Sequence, residues 1–245
     1  MESTTKDTVK KSTDEIASFN LPWSTKTLLM WLFGFVCFGL FIALLISVFY
    51  IVGKETGLWD IKQDELAILI NSHGMALYIC GLIAFLFFKT RSLNISVVSV
   101  WNYSDLSFAN TVWPMYLGVV VAYIWTRIVF ASGSWIPEYS PSTFVIYIIT
   151  ATILGPSFEE FYFRGLLYRR LRKRFTPERA IIFSSLIFSF YHIDYWFSFQ
   201  NLAFVFVSGI LFAYLFERTK SLTSSFFFHS SLNLSHNIIL QSTYW

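Results

Sequence analysis

Six ionisable or amide side chains lie inside apolar stretches of the C-terminal half of the chain. One charged side chain at the centre of a membrane-spanning helix costs roughly 2.5–3.5 kcal/mol, and such residues usually face the interior of a helical bundle. A carboxylate and an imidazole can take and return a proton, and N–H donors can hold a developing negative charge. The sequence therefore predicts a polar reaction site in apolar surroundings, formed by Glu159, Glu160, Arg164, His192, His229 and Asn233.

The spacing of these residues indicates which of them can meet. Residues three or four apart share one face of a helix, so Glu160 and Arg164 can form an ion pair within their own helix. Glu159 points about 100° away from Glu160 and is left for another role. Two more pairs share a helix face in the same way: Phe188 with His192, and His229 with Asn233.

The predicted depth of these groups in the membrane is similar on three helices. At about 1.5 Å of rise per residue, Glu159 lies roughly 15 Å and His192 roughly 18 Å from the cytoplasmic ends of their spans. His229 and Asn233 lie roughly 10 and 16 Å from the end of theirs. Chance placement of such costly groups would not favour one level, so we expect a shared site in the inner half of the membrane.

A Gly-Pro pair precedes the two glutamates. Pro156 cannot donate a backbone hydrogen bond and disrupts the helical turn before it, and Gly155 adds freedom there. We expect a kink at this point that aims the N-terminal end of a half-helix at the site.

The three spaced pairs resemble the motifs of the CaaX-protease and bacteriocin-processing (Abi) family of intramembrane peptidases. The resemblance rests on Glu159-Glu160-x-x-x-Arg164, Phe188-x-x-x-His192 and His229-x-x-x-Asn233, in that order and each in an apolar run. It covers a core at about 143–241 and implies a glutamate-dependent peptidase without a cofactor.

The roles that this resemblance implies can be assigned residue by residue. Glu159 would activate a water molecule together with His192, and His229 and Asn233 would hold the oxyanion of the tetrahedral intermediate. Such a base must take a proton from water and return it to the leaving amine. The remaining two motif residues would keep the acidic pair in place, with Arg164 as the positioning group and Glu160 as its direct partner.

A zinc peptidase is the alternative mechanism. Two histidines and two carboxylates could ligate zinc. The sequence H-E-x-x-H is absent, however, and Asn233 suits an oxyanion donor better than a zinc ligand. The metal-free mechanism is the one that we favour.

The composition predicts the fold class. Of 245 residues, 55% are hydrophobic and only 13% charged, against about 25% charged in an ordinary soluble domain. We therefore expect an all-α polytopic helical bundle in a membrane. No basic patch interleaved with aromatic residues is present, which makes nucleic acid an unsuitable partner. Cys37 and Cys80 both fall in apolar runs, where we expect them to be small buried side chains.

Seven apolar stretches approach the ~20 residues that a spanning helix needs. Residues 1–25 form a polar cytoplasmic tail in this interpretation, with a short interfacial helix near its end, and residues 26–245 form a single transmembrane domain. The predicted spans are 27–52, 66–88, 111–130, 143–168, 180–197, 200–216 and 222–240.

The distribution of Lys and Arg predicts the orientation. Fourteen of these residues fall on one side of the predicted spans and two on the other, which places the N-terminus in the cytoplasm. The basic cluster from Arg169 to Arg174 is best explained as a topology determinant that contacts anionic lipids.

These features together predict an intramembrane endopeptidase that cuts near the inner leaflet of a bacterial cell membrane. Its partners would be membrane lipids and a substrate that is a peptide or a membrane protein, either a prenylated CaaX tail or a leader-bearing chain. A non-proteolytic protein of bacteriocin self-immunity is the alternative, because some family members are associated with immunity. A transporter is less favoured, since no second interrupted segment in a matching repeat is seen.

Overall fold

The computed structural model describes residues 21–58, 63–92, 100, 107–130, 141–192 and 198–242. Within these ranges the chain is helical and contains no β-strand, which confirms the all-α prediction. Six regular helices and one composite helical run, α4, are formed. They are α1 (Thr25–Glu55), α2 (Gln63–Ser92), α3 (Val112–Phe130), α4 (from Pro141 to Arg172), α5 (Pro177–Tyr191), α6 (Phe199–Thr219) and α7 (Leu222–Ser242).

Four of these helical stretches are long and apolar enough to cross a membrane, which makes this a membrane protein. They are Thr25–Glu55, Ser72–Ser92, Thr143–Arg172 and Phe199–Thr219, found among the residues that the structure describes. The other three predicted spans also contain helices, namely α3, α5 and α7. The count of seven spans stays a prediction.

The first helix exposes large apolar side chains along its length. Phe33 is 71% exposed and Leu44 is 64% exposed on α1. Lipid solvates such side chains as well as a protein core does, so they need no protein cover. Cys37 and Cys80 are also exposed, so the prediction that they are buried was wrong. The reason is that an apolar residue in lipid can face either way.

The composite run α4 changes its helical type four times. Its segments are Pro141–Ile149 (α), Thr150–Leu154 (π), Gly155–Glu159 (α), Glu160–Tyr168 (π) and Arg169–Arg172 (α). The N–H of Gly155 donates to the carbonyl of Thr150, and the backbone stays helical through Pro156. A π-helical turn therefore lies directly before Pro156, at the position where we predicted a kink. The size of the kink and its aim at the site stay a prediction.

The chain divides into two compact units. The first comprises the described residues within Met1–Trp31, Val98–Tyr116 and Glu159–Phe228, and the second those within Leu32–Val97, Leu117–Phe158 and His229–Trp245. In the first unit α5 packs against α6. In the second unit α2 packs against the first segment of α4. The prediction of a single transmembrane domain stays a prediction.

Residues just before α1 belong to the first unit. Leu21 and Trp23 are buried, and the hydroxyl of Tyr162 donates to the backbone carbonyl of Leu28. Helix α1 begins at Thr25, so residues 21–24 are neither a tail nor an interfacial helix, which corrects the prediction for these positions. Apolar burial of two large side chains fixes the segment. Residues 1–20 of the predicted tail lie outside the described residues.

Candidate active site

Glu159 and His192 face each other in the first unit. The Nε2 atom of His192 lies 3.8 Å from Oε2 of Glu159. Both side chains are largely buried, with 22% of the imidazole and 11% of the carboxylate side chain exposed. Two residues 33 positions apart in sequence thus meet, as the family resemblance implied.

The other nitrogen of His192 defines the state of the ring. Nδ1 lies 2.9 Å from the backbone carbonyl of Phe188. A carbonyl oxygen can only accept a hydrogen bond, so Nδ1 carries the proton. In the neutral imidazole Nε2 is then an acceptor, and it is this acceptor that faces Glu159.

His192 also ends its helix. Helix α5 stops at Tyr191, and the backbone N–H of His192 turns to the carbonyl of Ser189, 3.1 Å away. The carbonyl of Phe188, which a continuing helix would give to that N–H, is taken by the imidazole instead. Continuous helix up to residue 197 was therefore a wrong prediction at His192, and residues 193–197 lie outside the described residues.

Glu160 and Arg164 form the predicted ion pair within one helical run. Nη1 of Arg164 lies 3.2 Å from Oε1 of Glu160, with side-chain exposures of 1% and 0%. A buried charge of either sign is costly unless it is paired. Each side chain thus makes the burial of the other possible. Glu159, next to them in sequence, faces His192 instead.

Arg164 makes further contacts that hold its guanidinium in place. Nη2 donates to the backbone carbonyl of Gly209 on α6 at 3.1 Å. The guanidinium carbon lies 4.5 Å from the ring centroid of Phe188 and 5.0 Å from that of Phe212. Such cation–π contacts strengthen when water is excluded. The arginine therefore links the glutamate segment to both α5 and α6.

His229 and Asn233 belong to the second unit. His229 is 5% exposed on α7. The Nδ2 group of Asn233 donates to the carbonyl of Ala151 in the first π-helical segment of α4, at 2.8 Å. An amide nitrogen carries two N–H groups, so one remains for a further acceptor. Their predicted place opposite Glu159 and His192 stays a prediction.

A second buried ionic cluster was missed from the sequence. Glu217 on α6 accepts from Arg172, with Nε to Oε2 at 3.2 Å, from Tyr168 at 2.8 Å and from Lys220 at 3.2 Å. Tyr168 and Arg172 lie four residues apart on one helical run, which is the signal that could have indicated a shared partner.

Two members of the basic cluster are therefore committed to contacts inside the protein. Arg172 pairs with Glu217, and Arg169 donates to the carbonyl of Val100 at 3.1 Å. Both are buried. The prediction of lipid contact for the whole cluster was wrong for these two residues, because each satisfies its charge against protein acceptors.

A metal site would require several His, Cys, Asp or Glu side chains at one place. Among the residues that the structure describes, no three His, Cys, Asp or Glu side chains come together in a way that could hold a metal ion. The metal-free mechanism stays a prediction.

Comparison with known proteins bears on the same segment. Residues 141–235 match the family described as type II CAAX prenyl endopeptidase Rce1-like. This segment holds all three motifs. Residues 141–235 are therefore similar to the Rce1-like endopeptidases. The family resemblance inferred from the motif spacing is thus confirmed for this part of the chain.

A curated protein is also similar to part of this chain. The chain is 32% identical over 88 residues to a Bacillus subtilis (strain 168) protein named "Putative membrane peptidase YdiL". The match covers 36% of this chain and 34% of the relative, so the chain spans about a third of the relative's length. No solved structure matches the chain significantly.

Proposed function

We propose that this chain is an intramembrane endopeptidase in which Glu159 and His192 activate water to hydrolyse a peptide bond. The observation that carries the proposal is the 3.8 Å separation of two acceptor atoms, Oε2 of Glu159 and Nε2 of His192. The match of residues 141–235 to the Rce1-like endopeptidases supports the same reaction class.

The geometry suits a water molecule that donates to both side chains. Hydrogen bonds from a water oxygen are about 2.8 Å long, and two acceptors 3.8 Å apart can each receive one O–H from the same molecule. The oxygen lone pairs of that water would then point away from the pair and towards a substrate carbonyl. Glu159 would take the proton and return it to the leaving amine.

Glu160 and Arg164 have a supporting role in this proposal. Their ion pair satisfies two buried charges, and Arg164 also contacts Phe188, whose carbonyl orients the imidazole of His192. Cleavage would therefore need both glutamates, although only Glu159 would contact the water molecule.

His229 and Asn233 would donate hydrogen bonds to the oxyanion of the tetrahedral intermediate. Donors that are aimed in advance stabilise developing charge most where water is excluded, and loss of one typically costs ~10²–10³ in rate. The hydrogen bond from Asn233 to Ala151 supports this role, because it fixes the amide and uses only one of its two N–H groups.

The substrate would be a peptide or a segment of a membrane protein cut near the inner leaflet. The family name supports prenylated CaaX tails, and the name and organism of the Bacillus relative support a membrane peptidase of a bacterial cell. The excess of Lys and Arg on one side of seven spans supports a cytoplasmic N-terminus.

Cleavage of a natural mixture tests the proposal without a known substrate. The full chain is reconstituted in liposomes with detergent-solubilised proteins of a bacterial membrane, and new N-termini are identified by mass spectrometry. We expect Glu159→Gln and His192→Gln to abolish a set of new termini that the wild type produces, because an amide replaces a carboxylate or imidazole that can take a proton from water.

A matched control is available on α5. Glu178 is exposed at the start of that helix, where hydrogen bonds from its own backbone N–H and the Thr176 hydroxyl lower the pKa of its carboxyl. Glu178→Gln removes the same charge far along the helix from His192 and should leave all termini in place. New termini that are the same for wild type, Glu159→Gln and His192→Gln would overturn the proposal.

A further inference from the structure

A glycine outside the three motifs lies where α6 packs closely against α5. Gly209 is buried, and a Cβ added there would lie 3.1 Å from Cδ1 of Phe188 and 3.2 Å from Cβ of Ser185. It would also lie 3.3 Å from Cα of Ser185, which is backbone. A side chain at this position therefore requires the Phe188 ring or the whole of α5 to move by a few tenths of an ångström.

The carbonyl of the same glycine holds the motif arginine. Nη2 of Arg164 donates to the oxygen of Gly209 at 3.1 Å, while Nη1 pairs with Glu160 at 3.2 Å. One planar guanidinium thus spans from the glutamate segment of α4 to α6. The contact fixes the distance between these two helical stretches, because the guanidinium is rigid and its donors have fixed directions.

Phe188 carries the effect of Gly209 to the imidazole by two routes. Its ring meets the ring of His192 edge to face, with centroids 4.6 Å apart. Its carbonyl accepts from Nδ1 of His192 at 2.9 Å, which selects the tautomer. A shift of Phe188 therefore changes both the place of the imidazole and the nitrogen that bears the proton.

We propose that Gly209 is a positioning residue for the Glu159–His192 pair. Its missing side chain sets the separation of α5 and α6 at which Phe188 holds His192 3.8 Å from Glu159. Its carbonyl holds Arg164 at the same level. The catalytic meaning of this inference rests on the proposed function, whereas the positioning itself is a property of the folded chain.

Nuclear magnetic resonance tests the positioning without any substrate. The full chain is labelled with ¹⁵N-histidine and purified in detergent micelles, and the ring nitrogens of His192 are assigned by comparison with His192→Gln. The wild type should show the tautomer with a protonated Nδ1. In Gly209→Ala we expect altered ¹⁵N shifts of His192 and mixed tautomers, because the added methyl displaces Phe188.

A second glycine serves as the matched control. Gly39 on α1 lies in the other unit, and a Cβ added there would lie 3.2 Å from the ring of Tyr78. Gly39→Ala thus brings a similar steric strain against an aromatic ring but should leave the His192 signals unchanged. Identical His192 spectra in Gly209→Ala, Gly39→Ala and wild type would overturn the proposal.

A double variant covers the case in which Gly209→Ala does not fold. Ser185→Gly removes the Cβ that lies 3.2 Å from the added methyl and so returns space to the interface. The contact of the added methyl with Phe188 at 3.1 Å remains, so the double variant should fold with His192 signals that differ from those of Ser185→Gly alone. A folded double variant with the same His192 spectrum as Ser185→Gly would contradict the inference.

Activity adds a readout that separates the two proposals. The rate at which Glu159-dependent new termini form should fall about tenfold in Gly209→Ala, because misplacement by 1 Å can cost ~10²-fold. Gly39→Ala should keep the wild-type rate. If Glu159→Gln has no effect on the termini, the proposed function fails, yet the His192 spectra still decide the role of Gly209.

Discussion

Two arginine–glutamate pairs are buried in the first unit, and they are built differently. Glu160 and Arg164 lie four residues apart on one helical run, 3.2 Å from each other. Arg172 and Glu217 lie 45 residues apart and join the end of α4 to α6 at the same distance. Both pairs are largely hidden from solvent, so burial alone does not tell them apart.

The surroundings of the two pairs differ in kind. Arg164 lies against the faces of Phe188 and Phe212, and it also donates to the backbone carbonyl of Gly209. Glu217, in contrast, receives hydrogen bonds from three side chains. They come from Arg172, Tyr168 and Lys220.

The difference shows why a buried ion pair is weak evidence for a reaction site. Structural networks also bury charges, and they do so for packing and helix connection alone. The pair at Glu160 is marked out by its neighbours, since Phe188 contacts both Arg164 and the imidazole of His192. The pair at Glu217 braces two helices and has several donors that can replace one another.

The largest effect should follow removal of the cation in the first pair. Arg164→Met keeps an unbranched apolar stem but removes the guanidinium that pairs with Glu160, which is itself fully buried. Breaking one side of a buried pair costs about 3–5 kcal/mol. We expect a strong loss of the free energy of unfolding in detergent, measured by denaturant titration, together with loss of the Glu159-dependent termini.

Arg164→Lys separates charge from geometry in that prediction. A lysine keeps the positive charge but cannot reach Glu160 and the Gly209 carbonyl with one rigid plane. Stability should recover in part while cleavage stays low. Full cleavage by Arg164→Lys would show that charge alone suffices and would weaken the contrast between the two pairs.

The same change in the second pair should cost less. Arg172→Met leaves Glu217 with two donors, Tyr168 and Lys220. Loss of hydrogen bonds to a charged group costs about 1.5–3 kcal/mol. We expect a moderate fall in the free energy of unfolding and wild-type cleavage at temperatures where the variant is folded. Loss of cleavage in a folded Arg172→Met protein would contradict the view of this cluster as a brace.

These two pairs also show what a single sequence can predict. The Glu160–Arg164 pair is local, so helical spacing alone predicted it, and the structure confirms it. The pairing of Arg172 with Glu217 and the bond from Arg164 to Gly209 join different helices. Such contacts depend on how helices pack, which the periodicity of one sequence does not define.

In a membrane protein, an apolar side chain does not by itself indicate a buried position. In water the apolar face of a helix points inward, but in lipid an apolar residue can face either the protein or the solvent. Cys37 and Cys80 were predicted to be buried because they fall in apolar runs, but both are exposed. The end of α5 at Tyr191 escaped prediction as well, because a histidine side chain and not a glycine or proline ends the helix.

The smallest effect that we predict concerns the backbone conformation of Lys220, which pairs with Glu217. Lys220 has φ 60° and ψ 10°, the left-handed conformation, at the end of α6. This conformation costs a residue with a Cβ roughly 1–2 kcal/mol, while glycine adopts it freely. The ion pair of Lys220 with Glu217 at 3.2 Å compensates for that strain.

Two substitutions at Lys220 separate strain from charge. Lys220→Ala and Lys220→Gly both remove the ion pair with Glu217, but only glycine relieves the backbone. We expect Lys220→Gly to be more stable than Lys220→Ala by about 1 kcal/mol, as measured by denaturant titration in detergent. Equal stabilities would mean that the left-handed turn is not strained. In the Arg172→Met background either change should cost more than in the wild type, because Glu217 then keeps only Tyr168 among these three donors, and a double-mutant cycle measures that coupling.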